Sequence, residues 1–195
     1  MKSSIEKILG SFQFHIALIV VGLGLDQLTK KWAEGYLSPS FDAPHGEIVH
    51  VIGDLFRFQL AYNPGAAFSS RPQDIVPFLS PTIFFLILSL IAVAVLAWFY
   101  RSVKKSDWLS RIGISMIVCG ALGNFIDRMR IGKVVDFIDC DFPDFIMQRW
   151  PTFNVADCFV TVGVSIVLLA PFVYKLLKKS HKTEIAKNDA KNNCK

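Results

Sequence analysis

Residues 84–100 read FFLILSLIAVAVLAWFY, and the chain carries no charge from residue 75 to residue 100. A helix needs roughly 20 mostly apolar residues, about 17 at the short end, to cross a hydrocarbon core. This stretch therefore predicts a transmembrane helix, and three others join it. Residues 8–25 are uncharged and contain FHIALIVVGLGL, and residues 158–174 read CFVTVGVSIVLLAPFVY. Residues 112–126 are shorter, and reach spanning length if Trp108 and Leu109 extend them and the long side chain of Arg111 snorkels to the surface. The predicted spans are about 10–28, 77–100, 108–127 and 155–177, in one membrane-embedded domain over residues 1–177. Composition agrees: 52% of the chain is hydrophobic and 19% is charged, against about 25% charged in soluble domains. The first stretch follows Lys2 and Lys7 as a signal peptide would, but it ends in Asp26-Gln27-Leu28-Thr29-Lys30 with no small-x-small site. It is read as a span.

Charge placement orients the bundle. The N-terminal tail, the 101–111 connection and the C-terminal tail hold 13 basic and 4 acidic residues, and the two other connections hold 8 basic and 12 acidic. Lysine and arginine favour the cytoplasmic side, which predicts both termini inside and the acidic loops outside. The net charge of +5 is explained by this asymmetry, so nucleic acid is not an expected partner. Residues 178–195, rich in lysine and asparagine, are expected to form a disordered basic cytoplasmic tail. Cys119, Cys140, Cys158 and Cys194 match no metal spacing and read as free thiols.

In the first outer segment, VHVIGDLFRFQLAY at 49–62 alternates Phe56, Phe58, Leu60 and Tyr62 with polar or small residues. This period of two predicts two short strands turning at Gly53-Asp54. A small β-platform at the membrane surface is expected, presenting Phe56 and Phe58 to lipid or to an apolar substrate. The fold class is thus an all-α membrane protein with four transmembrane helices and a small β-platform in the first outer loop.

Polar residues converge on the outer face. Span one ends there at Asp26, span three at Asn124 and Asp127, and span four begins there with Asn154 and Asp157, while Asp136 lies in the loop between the last two. Ionisable groups near hydrocarbon are costly and tend to line a bundle interior or wet cavity. Two close carboxylates share one proton, so that one can activate water while the other hydrogen-bonds a scissile carbonyl. No serine–histidine–aspartate constellation competes; His15, in span one, reads as a tolerated polar residue. Structural readings also exist. Asp127-Arg128 could be an ion pair, Asn154 a helix cap with Asp157 in the first turn, and Asp139, Asp141 and Asp144 a solvated acidic loop. A proton-coupled carrier would use the same carboxylates, and the residues alone leave both activities open.

Five blocks add a resemblance. Asp26-Gln27-Leu28-Thr29-Lys30, Asn63-Pro64-Gly65-Ala66-Ala67-Phe68, Gly120-Ala121-Leu122-Gly123-Asn124-Phe125-Ile126-Asp127-Arg128, Val134-Val135-Asp136-Phe137-Ile138-Asp139 and Phe153-Asn154-Val155-Ala156-Asp157 stand in the order found in bacterial lipoprotein signal peptidases, the type II signal peptidases. The resemblance implies a cofactor-free aspartic endopeptidase of the bacterial inner membrane. It would remove signal peptides from prolipoproteins by cutting before a diacylglyceryl-modified cysteine at the periplasmic face. It implies Asp136 and Asp157 as the catalytic pair. Asn63, Gly65, Asn124, Asp127, Arg128, Asn154 and Ala156 would support the site, and Asp26 and Lys30 would be structural or position substrate. Prolipoproteins and membrane lipids are the implied partners, and a monomer is expected.

Overall fold

A computed structural model describes residues 4–40, 43–44, 46–65, 80–141 and 149–192. Ala66, Ala67 and Phe68 of the second block, the first residues of predicted span two, Asp144 and Cys194 lie outside the described residues. Four helices are long and apolar enough to cross a membrane: α2 (Phe12–Tyr36), α3 (Pro81–Ser102), α4 (Trp108–Ile131) and, in its Val155–Lys178 portion, α5 (Val155–Asn192). A short helix, α1 (Ser4–Leu9), precedes them. The shortest span has 22 residues, about 33 Å at 1.5 Å per residue, enough for a core of about 30 Å. Local chemistry starts each helix. Ser11 accepts the Phe14 amide at 3.2 Å, Asp107 accepts that of Ser110 at 3.1 Å, and Ser80 caps α3 ahead of Pro81.

Helix α4 is the centre, packed against α2, α3 and α5. A Cβ at Gly120 would collide with the Ala156 carbonyl oxygen, so the glycine lets α4 and α5 approach backbone to backbone, as small residues do between membrane helices. Helix α3 packs on α4 and buries no residue, leaving its apolar sides to lipid. Arg111 does not snorkel outward. It is 7% exposed, donates to the Gly10 carbonyl at 3.2 Å, and lies 4.2 Å over the Tyr100 ring.

The platform is a three-stranded antiparallel sheet in the order β1 (Ile48–Ile52), β2 (Phe56–Asn63), β3 (Val134–Cys140). Gly53 sits at the expected turn, with φ of 52°. The third strand comes from the connection between α4 and α5, so the platform ties it to the connection between α2 and α3. Phe58 faces protein: its ring meets Trp32 at 5.4 Å and Phe137 at 6.1 Å. Ala33, Leu37 and Phe137 form the core beneath the sheet.

Three helices run beyond the predicted spans. Helices α2 and α4 run past residues 28 and 127, to Tyr36 and Ile131, because the polar residues near their C-terminal ends find partners inside the protein. Helix α5 continues to Asn192, where disorder was expected. Once a membrane helix has met the nucleation cost, adding good helix formers such as Lys, Glu and Ala is favourable.

Candidate active site

The C-terminal ends of α2 and α4 and the N-terminal end of α5 meet beneath β3. Pairing puts Ala61 opposite Asp136, and the other edge of β3 is held by Phe153, whose amide donates to the Ile138 carbonyl at 3.0 Å while its carbonyl accepts the Ile138 amide at 2.8 Å. This clamp fixes the chain one residue before Asn154. Asn154 and Asp157 then cap the start of α5 reciprocally. The Asp157 amide donates to Asn154 Oδ1 at 3.0 Å, and the Asn154 amide donates to Asp157 Oδ2 at 3.1 Å. The expected cap is present, and it also aims both side chains.

Asn154 Nδ2 donates to Asp136 Oδ1 at 2.6 Å, so one asparagine binds both carboxylates. Asp136 Oδ2 accepts from Asn63 Nδ2 at 3.1 Å. Asn63 Oδ1 in turn accepts the Gly65 amide at 2.8 Å. Gly65 has φ of 102°, and a Cβ there would strike the Phe85 ring, so only glycine lets the chain fold back onto Asn63. Asp136 is 2% exposed. Burial, reinforced by the Asp157 charge and only partly offset by the Asn63 and Asn154 hydrogen bonds, pushes its carboxyl up to about 7.

Asn124 supplies the other half of the cradle. Its Oδ1 accepts from Lys30 Nζ at 3.0 Å and from Asn154 Nδ2 at 3.1 Å, which leaves its Nδ2 to donate to Asp157 Oδ1 at 2.8 Å. Two donors on one oxygen set the amide's orientation. Lys30 is fully buried and pairs with Asp26 at 2.9 Å, one helical turn earlier, and with Asp127 at 2.8 Å. Asp26 Oδ1 accepts the Ala156 amide at 2.9 Å, and Asp127 Oδ2 accepts that of Val135 at 3.2 Å. This buried network pins the residues next to Asn154 and Asp136.

The expected Asp127–Arg128 pair is replaced by Asp127–Lys30. Arg128 instead stacks 5.0 Å over the Phe85 ring, within the field of Asp157, Asp136 and Asp127. The solvated-loop reading of Asp139 is also corrected. Asp139 is 2% exposed and accepts from Arg57 Nε at 2.6 Å and Arg149 Nε at 2.7 Å. Burial opposes its ionisation, but these two guanidinium contacts outweigh it and hold the carboxyl below its usual range. Three contributors escaped the sequence reading: Gln27, bridging Asp26 and Asp127 at 3.1 and 3.2 Å, the Arg57–Asp139–Arg149 cluster, and the Phe153 clamp. Gln27 was readable as part of the first block; the other two depend on strand pairing.

The family model described as signal peptidase (SPase) II matches residues 18–173. The chain belongs to the signal peptidase II family. Membership makes it a membrane protease, which sets aside the carrier reading. Among similar proteins are the lipoprotein signal peptidases of Syntrophotalea carbinolica, 38% identical over 162 residues (81% of this chain, 91% of the relative), and of Neisseria gonorrhoeae, 38% identical over 175 residues (85% and 92%). Two bacterial membrane enzyme structures determined by the in meso method, at 1.9 and 2.3 Å resolution, share the fold. The first has a TM-score of 0.68 at 29% identity, over 82% of this chain and 92% of that one. The second has 0.65 at 30%, over 87% and 90%. A cavity of about 290 Å³ opens beside Asp157, lined by Trp150, Phe153, Asp157, Cys158, Thr161 and Val162.

Proposed function

We propose that this chain is an aspartic endopeptidase that removes signal peptides from diacylglyceryl-modified prolipoproteins, cutting before the lipidated cysteine at the outer face of the inner membrane. The observation that carries the reading is that Asn154 binds both Asp136 and Asp157 while Asp136 is pushed up to about 7. Near neutral pH such a pair holds one proton. The ionised carboxylate takes a proton from water, whose oxygen attacks the scissile carbonyl carbon. The protonated carboxyl donates its hydrogen bond to the carbonyl oxygen as charge develops there. Collapse of the tetrahedral intermediate breaks the C–N bond, and the proton gained from water passes to the leaving amine.

Asn63, Asn124 and Asn154 hold the carboxylate oxygens in place, and Lys30, Asp26 and Asp127 hold the asparagines and backbone that carry them. Arg128 places a cation beside the pair. The cavity wall of Trp150, Phe153 and Val162 suits apolar substrate groups arriving from the bilayer. The orientation supported by the lysine and arginine distribution puts this site on the periplasmic side, where a lipid-anchored substrate presents its cleavage point.

The test is cleavage of a synthetic diacylglyceryl-modified prolipoprotein peptide by the purified chain in detergent with EDTA present. A product beginning at the modified cysteine is expected. Cleavage lost with EDTA and restored by zinc would overturn the aspartic assignment, and cleavage at another bond would overturn the substrate.

A further inference from the structure

The opposite end of the bundle, remote from Asp136, holds a second polar centre that the peptidase chemistry does not use. A cavity of about 460 Å³ lies where the α1–α2 junction meets the α3–α4 connection, lined by Glu6, Lys7, Ser11, Gln13, Lys105 and Arg111. Three cations face one carboxylate. The first turn of α2 also lines it, adding the positive end of a long helix. Arg111 is only 7% exposed, and its Nε has no hydrogen-bond partner among the described residues.

Phe12 also lines a second cavity, of about 140 Å³, between α2, α3 and α4. Its walls are apolar, from Ile16, Ile19, Ala97 and Val118, with His15 and Tyr100 among them. His15 is 1% exposed, and neither of its ring nitrogens nor the Tyr100 hydroxyl has a hydrogen-bond partner among the described residues; the Leu9 carbonyl and the Arg111 guanidinium lie near the imidazole. Around the mouth, Ile5, Ile8 and Phe12 are each about 60% exposed or more, as expected of residues dipping into an interface.

A cationic mouth at the end of the bundle, separated by no more than the Phe12 side chain from an apolar cleft bearing buried polar groups, is complementary to one class of molecule. The geometry points to a site for one anionic phospholipid of the cytoplasmic leaflet. Its phosphate is held by Arg111, Lys7 and Lys105, its glycerol esters lie near Tyr100 and His15, and one acyl chain enters the cleft between α2 and α3. Arginine's planar fork suits phosphate oxygens, and basic pockets between membrane helices on this side recognise anionic headgroups. The site is independent of the catalytic reading, because it shares no residue with it.

The experiment titrates the purified full chain in detergent with dioleoyl phosphatidylglycerol, dioleoyl phosphatidylcholine or inorganic phosphate, reading bound lipid by native mass spectrometry and thermal unfolding. One phosphatidylglycerol should be retained and should raise the unfolding temperature, with phosphatidylcholine and phosphate giving neither effect. The double variant Lys7→Gln/Lys105→Gln should bind about 30-fold more weakly, as expected for two surface cations. The pair Lys175→Gln/Lys178→Gln, which removes equal charge from the same end of the bundle, should bind as the parent does. Ala97→Trp, which fills the cleft, should also weaken binding. Equal retention of phosphatidylcholine, an equal shift with phosphate, or equal loss in the two lysine pairs would each overturn the proposal, as would unchanged binding in Ala97→Trp.

Discussion

Asn154 Nδ2 lies 2.6 Å from Asp136 Oδ1. That contact joins a residue of the strand platform to the cap of a membrane helix, and through the same asparagine's backbone amide it reaches Asp157. Replacing either aspartate by asparagine keeps the size and removes the titratable group. Asp136→Asn and Asp157→Asn should each lower the cleavage rate by about 10³-fold or more while the protein still folds, and the double variant should be little worse, because groups acting as a unit are non-additive. The measurement is initial rate per folded molecule. Substantial turnover in either folded single variant would defeat the pairing.

The pH profile follows from Asp136. With its carboxyl pushed up to about 7 by burial and by Asp157, the shared proton is present below that pH and lost above it, so kcat/KM should fall as pH rises through about 7. The folded state holds a proton that the unfolded chain has released, so this group's contribution to stability declines as pH rises from its ordinary value near 3.8 to about 7. Removing the Asn63 hydrogen bond removes an influence that favours ionisation. Asn63→Ala should therefore move the alkaline limb of the rate profile to higher pH. A shift to lower pH would contradict the geometry.

Lys30 neutralises two carboxylates in a site closed to water. Lys30→Met strands both charges and should cost about 3–5 kcal/mol of stability, measured by denaturation in detergent. Replacing Asp26 and Asp127 by Asn in the same chain should restore part of that loss. No recovery in the triple variant would mean that the charges are not what the lysine serves.

Asp139 anchors Arg57 of β2 and Arg149 of the segment leading to Phe153. Asp139→Asn should destabilise the fold by about 2 kcal/mol, the scale of a charged hydrogen bond. Because its carboxyl sits below the usual range, the stabilisation is present above about pH 4 and lost as pH falls through the lowered value. The stability difference between parent and variant should shrink in acid. A constant difference from pH 6 to pH 2 would remove the ionic explanation.

The orientation is checked by thiol labelling in a background lacking the native cysteines. A cysteine at Lys105 should resist a membrane-impermeant reagent in intact cells, and one at Glu47 should react. The reverse pattern would move the carboxylates to the cytoplasmic face.

Four spans were legible from the sequence because hydrocarbon imposes a length and a composition on any helix crossing it, and residues 84–100 satisfy both. The strands around Gly53 were legible through their period of two, and the Asp26–Lys30 pair lies one helical turn apart on a single helix. These are local properties, carried by residues a few positions apart. The partner of Asp127 was not local. Arg128 is its neighbour in sequence, but successive helical side chains point in different directions, and Lys30 reaches it from another helix. Asp139 looked solvated because strand β3 cannot be paired with β2, or clamped by Phe153, until the α2–α3 and α4–α5 connections are brought together. Tertiary structure alone decided which acids are buried, which cation meets each, and that one asparagine binds both Asp136 and Asp157. Those outcomes depend on contacts between segments far apart in the chain, whose spacing no local pattern encodes.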